Sequence, residues 1–285
     1  MNWLEQLVDP LDQSDLTIST DAEGHILRIA STTAEYRVTN THPDLTPNPL
    51  PPSLVERQEL WNKLQENGKV TYDASPELNL STDDRFAGDF QSLTELGGAV
   101  LDIGCGPQSF APRYLENTEI EQLIGLDPLP GAAERDFPFV IGISEALPFR
   151  EASFDGVVFC RSLDHVLDTA SALQEAMRVL KPGRSLNIVM DLASEERQSA
   201  LAKMWHLASR GANQFIKTAK VHGIINAAKY TGSLGRLKVP KGAEDMFHMH
   251  FPTPNEVTNI LTEAGATSIK FHDLSPDETI CIAVK

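Results

Sequence analysis

Cysteine is scarce in this 285-residue chain: Cys105, Cys160 and Cys281 are far apart, odd in number, and none belongs to a Cys-x-x-Cys pair. That argues against a disulfide framework or a cysteine zinc site and fits a reducing cytoplasm. No apolar run approaches the roughly 20 residues that a membrane helix needs. Met1 to Pro10 holds no basic stretch leading into an apolar one, so no secretory signal is expected. Positive charge is also in short supply, with 24 Lys and Arg against 40 Asp and Glu and a formal net charge of −16. Such an excess repels phosphate backbones and disfavours bulk nucleic-acid binding. What remains is ordinary for a globular protein: 41% hydrophobic and 22% charged residues, enough for one sizeable α/β core and a small accessory unit.

The charge is unevenly spread. From Arg197 to Lys241 there are nine basic residues and no Asp or Glu, whereas the other 240 positions carry 15 basic and 40 acidic residues. A lid recognising an acidic or carboxylate-bearing partner would use such a stretch. A solvated helical face docked on the protein's own acidic surface would look the same.

Residues 1–48 read as a small β-rich accessory unit, with strands at 16–19, 25–29 and 35–38 and a turn at Asp21–Gly24. Five prolines between Pro43 and Ser53 predict an extended linker rather than a helix or a central strand. Residues 49–98 read as this linker plus a helical extension, with helices over 55–64 and 84–96. From 99 onward, short apolar strands alternate with helices. Strands are expected at 99–103, 122–126, 139–142, 154–160 and 186–190, and helices at 110–117, 167–180 and 255–264. A final hairpin is expected at 268–271 and 279–284, and a basic helical insertion at 194–241. This order predicts an α/β fold, a doubly wound and mostly parallel sheet with helices on both faces.

The informative loop is Gly104-Cys-Gly106-Pro-Gln108-Ser109, between a strand and a helix. Glycines let a backbone approach a ligand, and a helix N-terminus adds a partial positive charge. A dinucleotide fingerprint needs a third glycine at 109, where serine stands. Asp102, two residues before Gly104, would repel a pyrophosphate and attract an amine. Asp127 ends the next strand, 21 residues beyond Gly106, the spacing at which a carboxylate meets ribose hydroxyls.

Leu101–Pro107, Gly125-Leu-Asp127, Glu145–Phe149, Ser153–Val158 and Arg178–Gly183 follow one another in an order and spacing that resembles the class I S-adenosylmethionine (SAM)-dependent methyltransferases, in their small-molecule branch of quinone-biosynthesis type. The likeness covers about residues 100–285. It implies a seven-stranded Rossmann-like sheet and S-adenosyl-L-methionine as cofactor. It further implies that Asp102, Gly104, Cys105 and Gly106 hold the methionine end, and that Asp127 and Pro128 stand at the ribose. Ser144 and Glu145 would lie near the adenine, with Cys160 and Arg161 lining the cofactor after the fourth strand of the domain.

Two departures stand out. Gln108 occupies a position that is often a third glycine in this family, and Ile143 one that is often an aspartate contacting the adenine amine. The N-terminal unit is similar to a small zinc-ribbon-like domain without its cysteines, Asp9 standing before the proline where cysteine is expected. No metal site is expected.

Methyl transfer from a sulfonium is an in-line displacement in which the protein supplies position and desolvation. An acceptor hydroxyl or acidic carbon also needs a base. The candidates are His165, His248 and His250; strand alternation across Phe247–Phe251 would put the last two on one face. Two such histidines could ligate a metal, but Asp245 is the only further ligand in view, so a wall of the substrate pocket or plain surface is the expectation. His165 could equally cap the following helix. Tyr72, Arg161 and Tyr230 are further pocket candidates. The expected activity is O- or C-methylation of a small-molecule acceptor by a cytoplasmic enzyme. An RNA or protein methyltransferase, or a SAM-binding scaffold without catalysis, are the alternatives.

Overall fold

The computed structural model describes residues 2–39, 42–74, 84–116, 119–131, 134–190, 237, 239–275 and 278–285. The strands are β1 (Thr17–Thr20), β2 (Ile26–Ala30), β3 (Glu35–Thr39), β4 (His42–Asp44), β5 (Gly98–Ile103), β6 (Ile120–Asp127), β7 (Phe139–Ile141), β8 (Phe154–Cys160), β9 (Leu180–Met190), β10 (Ser268–Ser275) and β11 (Glu278–Val284). The helices are α1 (Pro52–Ala74), α2 (Asp84–Leu93), α3 (Thr169–Val179) and, numbered here α4, Pro254–Glu263.

All eleven strands form one sheet in the order β1-β2-β3-β4-β7-β6-β5-β8-β9-β11-β10. From β7 to β9 the neighbours are parallel, and β11 closes antiparallel between β9 and β10. These seven strands are the Rossmann-like sheet expected from the sequence. Alternation along the central strands makes two cores. Leu101, Val157 and Ile188 pack on one face with Leu173 and Met177 of α3 and Val257 and Leu261 of α4. Val100, Val158 and Val189 pack on the other with Phe86 and Phe90 of α2.

Four local outcomes differ from the expectations. The proline-rich stretch is not all linker: β4 bridges β3 and β7 inside the sheet, and Leu45 N–H donates to the Ile141 carbonyl (2.8 Å). Three residues with a single proline are short enough for this. Residues 17–44 therefore extend the main sheet, and the likeness to a zinc-ribbon-like domain is not borne out. Helix α1 runs to residue 74 rather than 64, starting on Pro52, where the missing N–H costs nothing. The helix expected over 110–117 is a single 3-10 turn, Arg113–Leu115. Pro112 caps that turn, and a proline pushes the residue before it out of helical space, so Pro107 and Pro112 leave no room for a longer helix. The helix reading of 194–231, with Trp205, Phe215, Lys217, Lys220 and Tyr230, falls outside the described residues.

Candidate active site

A cavity of about 490 Å³ opens at the carboxyl ends of β5, β6 and β8, where the strand order reverses and α/β sheets place their ligands. Trp61, Leu64, Gln65, Gly68, Thr71 and Tyr72 of α1 face it. Their spacing of three and four residues marks one side of a helix. The helix is tied down from both ends: Arg57 donates to the Leu167 carbonyl (2.9 Å) and Asn67 to the Met246 carbonyl (2.8 Å).

Gly104, Cys105 and Gly106 form one wall. Gly104 has φ +75°, and a Cβ there would lie 2.4 Å from Ser162 Cβ. Ser162 must come this close because its hydroxyl donates to the Ile103 carbonyl (2.6 Å), joining the ends of β5 and β8. Where a helix was expected to follow the loop, Arg135 takes over. Its guanidinium donates to the carbonyls of Gln108 (2.6 Å), Gly106 (3.0 Å) and Pro130 (2.8 Å) and stacks 3.8 Å from the Phe139 ring centre. The sequence reading missed Arg135. Gln108 is buried and donates to the Cys105 carbonyl (3.0 Å), so the residue in the third-glycine position braces the loop from inside.

Asp127 and Pro128 are on the wall. Asp127 accepts from the main-chain N–H of Gly106 (3.0 Å) and of Leu129 (2.8 Å), which leaves further lone pairs on its two oxygens. Burial pushes its pKa up to about 6 against the pull of those two bonds and of Arg135. Asp102 departs from the expectation of direct contact. It does not line the cavity; its carboxylate lies beneath, 1% exposed, and accepts from the hydroxyl of Tyr114 (3.0 Å), which does line it. Burial raises Asp102 to about 7, with the Tyr114 bond opposing and the Asp127 charge adding to the rise.

This gives a stability prediction. The folded pKa of Asp102 lies above the unfolded 3.8, so the native state holds the extra proton between about pH 4 and 7 and stability falls as pH rises through that window. Asp102→Asn should stabilise the protein by on the order of 1–3 kcal/mol at pH 8 and by almost nothing at pH 4. Urea unfolding at both pH values checks it; equal effects at both would refute the assignment.

Ser144, Glu145 and Ile143 line the cavity. Glu145 does not face it through its carboxylate. Its Oε1 accepts from the amides of Leu167 and Asp168 (3.0 Å to the latter), and Oε2 accepts from the Ser144 hydroxyl (3.0 Å), so Glu145 holds the entry to α3. Ile143 sits in an apolar cluster with Leu50, Leu54, Ala146 and Leu167, giving a flat wall without a hydrogen-bond acceptor. Cys160 and Arg161 also line it. The Arg161 guanidinium pairs with Glu278 and lies 4.2 Å from the Phe86 ring centre. Burial drives the Cys160 thiol up to about 12 and Cys105 well above the usual range, so neither is a thiolate.

The histidines divide differently from the expectation. Residues 247–250 form no strand. His248 faces the cavity with His165, their rings 4.5 Å apart, whereas His250 is off the cavity wall and pairs with Glu256 of the α4 capping box (2.9 Å). His250 therefore belongs to the helix cap rather than to the site. Asp164, which the sequence reading did not single out, lies between the two cavity histidines: its oxygens are 3.7 Å from His165 Nε2 and 3.5 Å from His248 Nε2. Tyr72 lines the cavity as expected, its hydroxyl pKa raised by burial and the Asp127 charge.

A sheet parallel from β7 to β9, with a glycine loop, an acidic β6 terminus and a cavity at the reversal of strand order, has the Rossmann-like methyltransferase fold. Residues 101–188 match the family described as methyltransferase domain. It is 36% identical over 104 residues to O-methyltransferase resE of Aspergillus sclerotiorum, covering 32% of this chain and 39% of that one. It is 26% identical over 193 residues to the ubiquinone/menaquinone biosynthesis C-methyltransferase UbiE of Geotalea uraniireducens, covering 63% and 74%. The chain spans about 40% of the length of the first of these relatives. A solved structure, phosphoethanolamine N-methyltransferase 2 of Haemonchus contortus with S-adenosyl-L-methionine, is similar in fold: 14% identity, TM-score 0.50, covering 72% of this chain and 53% of that one. Among the described residues no helix is long and apolar enough to cross a membrane.

Proposed function

We propose that this protein transfers a methyl group from S-adenosyl-L-methionine to an oxygen or carbon of a small-molecule acceptor. The observation that carries the reading is a single cavity with the Gly104–Gly106 loop and Asp127 on one wall and His165, Asp164 and His248 on another. The residues fit the cofactor. Asp127 offers carboxylate lone pairs to ribose hydroxyls, the glycine loop admits the methionine end close to the backbone, and Ile143 gives the adenine an apolar wall. The buried carboxylates Asp102 and Asp127 make this end of the cavity electronegative, which favours a ligand bearing an ammonium and a sulfonium. When bound, the cofactor supplies an electrophilic methyl group. The chain's own part is to align an acceptor, exclude water under α1, and receive the acceptor's proton on the His165–Asp164–His248 group.

The acceptor reading follows the small-molecule relatives. An acidic acceptor is supported by the charge of 197–241 alone, and a cytoplasmic setting by the three unpaired cysteines. Incubating the protein with a metabolite extract and methyl-labelled cofactor tests the proposal. A small molecule gaining one labelled methyl supports it, while label appearing only in RNA or protein would move the function to a polymer substrate.

The bound ribose requires ionised Asp127. Cofactor affinity should therefore be level above about pH 7 and fall close to tenfold per pH unit below 6. Calorimetric titrations at pH 5, 6 and 7.5 check this, and Asp127→Asn should flatten the profile while lowering affinity about 10–100-fold.

A further inference from the structure

We propose that Asp164, His165 and His248 form a binding site for a divalent first-row transition metal on the cavity wall. The ligand atoms of these three side chains all lie within 4.8 Å of one another, and all three residues line the cavity. Two histidines and one carboxylate suit zinc, iron(II) or cobalt(II) rather than calcium or magnesium.

The orientation of the rings is the first argument. His165 Nδ1 is 2.9 Å from the Phe247 carbonyl, which can only accept, so Nδ1 carries the hydrogen and the neutral ring keeps its lone pair on Nε2. His248 Nδ1 is 2.7 Å from Asp245 Oδ2, which fixes the same tautomer. Both Nε2 atoms thus turn toward Asp164. A metal-bound histidine commonly donates its other nitrogen to a carboxylate or a carbonyl, and here one ring has each. Rings 4.5 Å apart would repel as two imidazolium cations, whereas two neutral imidazoles sharing one metal ion would not.

The second argument is independent. Asp164 is only 6% exposed, and its Oδ1 is buried without a hydrogen-bond partner among the described residues. A carboxylate oxygen in that state is costly unless a cation meets it. The backbone holds it in place, because the Asp164 carbonyl accepts from Met249 N–H (2.9 Å) and so fastens the His248 segment to the loop after β8.

Three protein ligands leave coordination positions open toward the cavity, the arrangement of catalytic rather than structural metal sites. The use of the metal rests on the methyltransferase reading. A hydroxyl acceptor bound to the ion would release its proton to water near neutral pH, in place of transfer to the histidines, and the oxyanion would attack the methyl carbon, the C–O bond forming as the C–S bond breaks and S-adenosylhomocysteine leaves. Oxygen rather than carbon is then the methylated atom.

The test needs no cofactor. The full chain is stripped with a chelator, dialysed and titrated with cobalt(II) and zinc(II), following visible absorbance and heat. One equivalent should bind, with cobalt d–d bands showing nitrogen and oxygen ligation. His248→Gln and Asp164→Asn should each weaken binding at least tenfold, and Asp245→Asn should weaken it 10-fold or more through His248. Asp21→Asn, in the exposed Asp21–Glu23–His25 cluster, should leave it unchanged. Circular dichroism of each variant separates loss of ligand from loss of fold. No binding by folded wild-type protein, or binding unaltered by both His248→Gln and Asp164→Asn, would overturn the site and leave a proton as the cation among these groups. Cofactor affinity measured on the same stripped protein reports on the methyltransferase reading separately.

Discussion

Gly104→Ala should lower S-adenosylmethionine affinity at least 100-fold and the thermal midpoint by about 5–15 °C. The backbone at Gly104 is left-handed, φ +75°, which costs a non-glycine residue about 1–2 kcal/mol. The larger effect is contact. A Cβ there would stand 2.4 Å from Ser162 Cβ and 2.8 Å from Ser162 Oγ. Ser162 cannot swing aside freely, because its hydroxyl satisfies the Ile103 carbonyl at the end of β5. Either that bond breaks or β5 and β8 separate at the place where the cavity begins. Both outcomes displace the loop whose backbone would meet the cofactor, so binding suffers more than stability. Adding Ser162→Gly to Gly104→Ala removes the clashing atoms and should recover part of the lost affinity. If Gly104→Ala binds as wild type does, the loop is not the cofactor wall.

Arg135→Ala carries the second large expected effect, a destabilisation on the order of 3–5 kcal/mol with loss of measurable cofactor binding. Arg135 supplies three charge-assisted bonds to loop carbonyls, each worth about 1.5–3 kcal/mol net when taken singly and together less than their sum. Its stacking on Phe139 adds on the order of 1 kcal/mol. Lysine can reach one carbonyl but not three at once, because the planar guanidinium fork sets the directions. Arg135→Lys should therefore recover less than half of the stability. Thermal and urea unfolding read the stability, and calorimetry reads the binding. A variant as stable as wild type would mean that water replaces the guanidinium without cost.

These two residues also show where the sequence was legible. Gly104 and Asp127 were found because their roles depend on local order: a strand end, a turn and a fixed spacing to the next strand end. The seven strands from β5 to β11 emerged for the same reason, since short continuous apolar runs bounded by turn residues mark strands of a sheet buried on both faces. Arg135 gave no such signal. It acts across 27 to 29 residues of chain on the carbonyls of Gln108 and Gly106, and nothing near it in sequence marks the contact. The short turn after the loop follows from Pro107 and Pro112, which an alternation of strands and helices does not register. Helix α1 was only half seen, because its cavity stripe mixes Trp61, Gln65, Gly68 and Thr71 and does not read as an apolar face. His248 was found with the wrong companion. Alternation paired it with His250, whereas the chain between them is not a strand and brings His248 to His165 and Asp164 instead.

The measurement that bears most directly on the account is a calorimetric titration of the full chain with S-adenosylmethionine and with its demethylated product at pH 7.5, alongside Asp127→Ala. One molecule of either should bind per chain with a dissociation constant in the micromolar range, and Asp127→Ala should weaken both together. No heat at millimolar cofactor, or equal binding by wild type and Asp127→Ala, would contradict the assignment of this cavity as the cofactor site.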